Sequence, residues 1–168
     1  MLLRRAGVQA AIMALAFVTL LPTGAQAAGV WDPNEPTRRL DMRWIGAYVE
    51  SDGQLRLTIT FYHPVRLRWF DRLVDLELSS MVVVFADDTA GSQPHWFAVF
   101  GKRDSRLRAQ LCESGSVCVE EARVTRPDRF TIRVRFGRGL DGADFRGRST
   151  RGGWNGELLD LTPWGIVT

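Results

Sequence analysis

The sequence predicts an all-β fold, an antiparallel β-sandwich of jelly-roll-like form with roughly eight strands. Three observations predict it. Apolar and polar residues alternate in short runs, turn-forming clusters separate those runs at short spacing, and no long 3.6-period segment follows the first 27 residues. Proline and glycine show no period, and 45% of residues are apolar, which argues against collagen-like or disordered chains.

The elements follow in order. Asp32-Pro33-Asn34-Glu35-Pro36 is a stiff polar entry, and residues 40–50 form a less regular strand. Ser51-Asp52-Gly53 is a hairpin turn whose glycine tolerates positive φ. Leu55, Leu57, Ile59 and Phe61 then alternate with polar residues in a half-buried strand. Residues 66–74 have room for one helical turn. Val74, Leu76 and Leu78 share one parity and Met81, Val83 and Phe85 the other, so a bulge or bend falls at Ser79-Ser80. The loop Asp87 to Gly91 leads to a strand over 96–100, and a hairpin around Glu113-Ser114-Gly115-Ser116 supplies two more. Ala122 and Val124 change parity relative to Val119. Phe130, Ile132, Val134 and Phe136 alternate cleanly. From Gly137 onward the chain is rich in Gly and Asp and reads as a long loop, with a final edge strand over 158–161.

The start of the chain reads as a secretory leader, residues 1–27. Arg4-Arg5 precede an uncharged apolar run from Val8 to Leu21, then Pro22 and the cleavage pattern Ala25-Gln26-Ala27. That run is too short to span about 30 Å of hydrocarbon. The expectation is a secreted, extracellular protein with no membrane span after cleavage and a single domain over 28–168. Cys112 and Cys118 flank a turn, and an even cysteine count in an exported chain reads as a disulfide across the hairpin.

Charge narrows the partners. Lys+Arg is 22 and Asp+Glu 19; Arg4 and Arg5 leave with the leader, so 20 bases face 19 acids. A surplus of one does not suit a nucleic-acid binder.

Chemistry is limited. His63 and His95 are the only histidines, and no nucleophile elbow, Walker loop, dinucleotide fingerprint or H-E-x-x-H occurs. Glu120-Glu121, Asp87-Asp88 and Asp141/Asp144 are the carboxylate pairs a glycosidase would require, yet most lie at turns, where Asp serves the backbone. No catalytic residue is assigned. Asp32, Asn34 and Asp41 offer hard oxygen ligands for calcium, although no EF-hand spacing is present.

Tryptophan carries the binding signal, with 6 in the chain. Trp44, Trp69 and Trp96 sit in or beside strands and are expected in the core. Trp31, Trp154 and Trp164 lie in Gly- and Pro-rich segments, where exposed indoles can stack on sugar rings. Arg56, Arg106, Arg108, Arg133 and Arg135 hold the polar parity of their strands and could gather on a face for polyanions; neighbouring acids offset them.

Three stretches carry a family resemblance: Asp32-Pro33-Asn34 followed by Leu40-Asp41-Met42, Val82-Val83-Val84-Phe85-Ala86-Asp87, and Leu159-Asp160-Leu161-Thr162-Pro163. The chain resembles exported bacterial β-sandwiches distantly similar to DOMON and carbohydrate-binding-module domains. In that group an acidic, Pro-containing opening leads into a first strand, and a mid-chain strand ends in Asp. Haem-binding DOMON members use a Met and a His as axial ligands; His95 with Met42 or Met81 do not match that placement, so no ligand residue is carried over. The expected function, carried by the loop tryptophans, is that of a secreted, non-enzymatic domain that binds a carbohydrate or cell-envelope component, with an extracellular glycan or an envelope protein as partner. A protein-interaction module without a small ligand is the alternative, and a secreted hydrolase a further one.

Overall fold

The computed structural model describes residues 28–33, 39–73, 79–86, 95–114, 117–151, 155 and 157–168. Two antiparallel sheets pack face to face. The smaller runs β1 (Ala28–Trp31), β2 (Met42–Val49), β3 (Leu55–Phe61), β8 (Thr131–Phe136) across its width. The larger runs β10 (Glu157–Leu161), β9 (Asp144–Arg151), β4 (Met81–Ala86), β5 (Trp96–Arg103), β6 (Arg106–Glu113), β7 (Val117–Arg123), and β11 (Gly165–Ile166) also pairs with β9. One 3-10 turn, Leu67–Trp69, is the helical turn expected in that segment.

Period-2 alternation builds the interior. Leu55, Leu57, Ile59 and Phe61 of β3 point inward, as do Ile132, Val134 and Phe136 of β8. Met81, Val83 and Phe85 of β4, with Phe100, Leu107 and Leu111, meet them from the larger sheet in one contiguous cluster. Each such side chain contributes about 1.5–3 kcal/mol when fully removed from water, which offsets the entropy of ordering the strands.

The outer face of the larger sheet is not uniformly wet. Val82, Val84, Phe97, Val99 and Cys112 form a second buried cluster with Leu73, and half-buried Trp164 packs on it. β4 is therefore covered on both faces, which is why Met81 to Ala86 is apolar without alternation.

Local irregularities have local causes. Residues 51–53 make the β2–β3 turn, with Gly53 at φ 80° and Asp52 Oδ1 accepting from Gln54 N–H at 3.2 Å. A bulge at Arg43 separates the pairs Met42↔Phe61 and Trp44↔Thr60, which accounts for the uneven pattern of β2. A second register shift separates Leu111↔Glu120 from Cys112↔Cys118 and produces the parity change before Ala122. The expected run over 74–78 and the loop 87–91 lie outside the described residues.

The C-terminal quarter corrects the sequence reading. The expected long loop after Gly137 contains β9, an interior strand between β10 and β4, as well as β10 and β11. Its inward positions are Phe145, Gly147 and Ser149, two of them too small to register as apolar. A Cβ on Gly147 would stand 2.2 Å from Ile45 Cδ1, so close packing of the sheets at this point requires glycine.

Candidate functional site: the aromatic face of the smaller sheet

Alternation also fixes what the smaller sheet turns outward. Ile45 and Ala47 of β2 are buried inward, so Trp44, Gly46 and Tyr48 face out. Register aligns their neighbours: Trp31 lies opposite Trp44, Gly29 opposite Gly46, and Thr60, Thr58 and Arg56 continue the rows on β3. Thr131, Arg133 and Arg135 complete them on β8.

Trp44 lies flat on this face. A Cβ on Gly29 would fall 2.0 Å from its Nε1, and one on Gly46 would fall 2.2 Å from its Cη2. Two glycines paired across β1 and β2 thus leave the trough that the indole fills. Trp31 stands beside it on the edge strand, 63% exposed.

Cations rim the strip. The guanidinium of Arg43, presented by the bulge, lies 5.4 Å from the Trp31 ring centroid and 6.0 Å from that of Tyr62. Tyr62 donates its hydroxyl to the Asp32 carbonyl at 2.7 Å, which fixes its ring. Arg56 covers Tyr48 at 5.8 Å and pairs with Glu50 at 2.7 Å, and Arg135 holds the other oxygen of Glu50. Arg56, Arg133 and Arg135 therefore share one face, whereas Arg106 and Arg108 belong to β6 of the other sheet.

Of the anticipated tryptophans, the two that are described do not gather. Trp31 is on the smaller sheet, and Trp164 packs against the outer face of the larger one with Arg146 4.5 Å from its ring. Trp154 lies outside the described residues. Trp69 and Trp96 pack against the main core, as expected, but Trp44 does not belong there. Sequence reasoning missed it; the usable signal was Gly46, on the same parity and with no side chain to compete.

Below the strip, chain entry and exit meet. Asp32 and Asp41 come together with Asp160 of β10, all three buried, with carboxylate oxygens within 4.8 Å of one another. Met42 N–H donates to Asp160 Oδ2 at 2.7 Å. Burial, opposed by that N–H and reinforced by a hydrogen bond with Asp32 and by the charges of Asp32 and Asp41, pushes the Asp160 carboxyl up to about 7. The Asp160 carboxyl thus keeps its proton well above the ordinary carboxylate range. The same oxygens would suit a hard divalent cation, with Asp160 in the role expected of Asn34, which lies outside the described residues.

Several of the other expected groups have structural partners. Cys112 and Cys118 are disulfide-bonded across the β6–β7 hairpin. Both oxygens of Glu120 accept from Gly137 N–H, at 2.7 and 2.9 Å, and Glu121 pairs with Arg103. His63 is half-buried and His95 exposed. No family model, curated protein or solved structure matches this chain.

Proposed function

We propose that this chain is an exported, non-enzymatic binding module that takes the sugar rings of an extracellular or cell-envelope glycan on the outer face of its smaller sheet. The observation that carries the reading is Trp31, 63% exposed in the same row as the flat indole of Trp44. Two adjacent indoles offer π faces to the C–H faces of pyranose rings, and the threonines and arginines beside them offer hydroxyl partners. Resemblance to carbohydrate-binding sandwiches and the leader-like first 27 residues support the same reading.

The test is tryptophan fluorescence titrated with a panel of cell-wall polysaccharides. A blue shift or quench with at least one of them is expected, reduced at least about tenfold in Trp31→Ala, as for a central aromatic anchor. Unchanged emission and melting temperature across the panel would remove the proposal. The second reading, a protein-interaction module, draws on Val117 and Val119 of β7, 61% and 52% exposed. Recovery of a stable envelope protein partner whose binding is lost in Val119→Lys would favour it.

A further inference from the structure

At the end of the sandwich formed by the β5–β6 turn and the 3-10 turn, two cavities of about 890 and 410 Å³ adjoin, sharing Leu67 and Ser105 as a divider. Arg68, Arg72, Lys102 and Arg103 line the larger. Arg106, Arg123 and Arg126 line the smaller. Asp104 is the one acid among the described lining residues. Among the described residues, the lining thus carries a surplus of six positive charges, on a chain whose whole surplus is three.

The strand register makes this concentration costly. Arg103 lies directly opposite Arg106 across the β5–β6 hairpin, and Arg108 directly opposite Arg123 across β6 and β7. Arg72 bridges to Lys102. Like charges directly opposite in a sheet are destabilising. On the smaller sheet the comparable pair Arg56↔Arg135 is relieved by Glu50 between them. Here Arg103 has Glu121 and Arg126 is held by the Val65 carbonyl at 2.8 Å, while Arg68, Arg72, Arg106 and Arg123 stand in no ion pair among the described residues. Repulsion left in place around a concave surface is relieved by an anion.

We infer that this cleft is a second, independent binding site, and that its occupant is an acidic polysaccharide whose uronate carboxylates engage the arginines of both cavities. Guanidinium forks pair with carboxylates in bidentate fashion, and two adjoining cavities require a ligand that repeats its charge. Single-stranded nucleic acid fits less well, because it stacks bases on aromatic rings. Phe70 is the one aromatic side chain lining the cleft among the described residues, and it is fully buried.

The experiment is calorimetric titration of the intact protein with polygalacturonate, with a neutral glucan and with a single-stranded oligonucleotide. Wild type is expected to bind polygalacturonate at low salt and to weaken at least about tenfold by 0.2 M NaCl. The triple variant Arg72→Gln, Arg106→Gln, Arg123→Gln is expected to lose at least about tenfold in affinity with no fall in melting temperature, because it relieves repulsion. The triple variant is expected to bind the neutral glucan as wild type does, which separates this site from the aromatic face. No binding at low salt, equal binding by the triple variant, or tighter binding of the oligonucleotide overturns the inference. Should the triple variant fold poorly, the single variants Arg72→Gln and Arg123→Gln, each at an exposed position, carry the same comparison.

Discussion

Gly29 and Gly46 face each other across β1 and β2, and the indole of Trp44 occupies the space their missing side chains leave. The arrangement turns the ring into part of the sheet surface instead of a projection from it. Replacing Gly46 by valine must lift the ring off. The expected result is a loss of about 1–3 kcal/mol, read from urea unfolding, with a red shift of native emission. Glycan binding on this face should fall with it, whereas Trp31→Ala should weaken binding with stability unchanged to within about 0.5 kcal/mol.

Asp160 gives the fold a pH signature. In the folded chain its carboxyl holds a proton up to about pH 7, whereas the ordinary value is 3.8. Between those values only the unfolded chain releases the proton, so stability falls as pH rises through the window and levels off above it. Asparagine reproduces the protonated form, accepting from Met42 N–H and donating to Asp32. Asp160→Asn should therefore flatten this part of the pH profile and melt about 3 °C or more above wild type at pH 8, which differential scanning calorimetry reads.

A calcium ion at the acidic trio would compete with that proton for the same oxygens. Calcium binding by Asp32, Asp41 and Asp160 requires the ionised trio, so any rise in melting temperature with excess calcium is expected at pH 8, to shrink at pH 5 and to vanish in Asp160→Asn. Equal melting temperatures in calcium and in chelator at pH 8 would dismiss the ion.

The disulfide closes a short loop, and the loop-entropy relation gives it about 2 kcal/mol. Cys112→Ala with Cys118→Ala should lower stability by that order. Cys112 is buried in the second cluster and Cys118 is exposed, so Cys112→Ala alone should account for most of any packing loss.

Gly147 tests the correction to the C-terminal quarter. Its absent side chain would overlap Ile45 and approach Met42 Sδ to 2.8 Å. Gly147→Val should cost about 1–3 kcal/mol or more. A neutral outcome would mean that this stretch is not an interior strand.

What could be read from the sequence follows from side-chain size. β3 and β8 announce themselves because every inward residue is a large apolar one beside a polar neighbour. β9 stays hidden because its inward positions include Gly147 and Ser149, while Arg146 and Arg148 make it look like a solvated loop. The candidate site was half legible. Trp31 and the Asp32–Asp41 pair stood out by residue type, but Trp44 and Asp160 join them only through strand register and a contact made across most of the chain. Single-sequence periodicity contains neither. The basic cleft is hidden for the same reason, since its cations come from three separated segments.

β7 is the outermost strand on its side of the larger sheet, and it shows Val117 and Val119 to solvent next to Cys118. A peptide ribbon of this kind is a template on which a neighbouring molecule can lay its own backbone. The sulfur bridge keeps the ribbon pressed to β6 and denies it the freedom to peel away and recruit a second copy. Reduction should therefore harm solubility in addition to lowering the midpoint of unfolding.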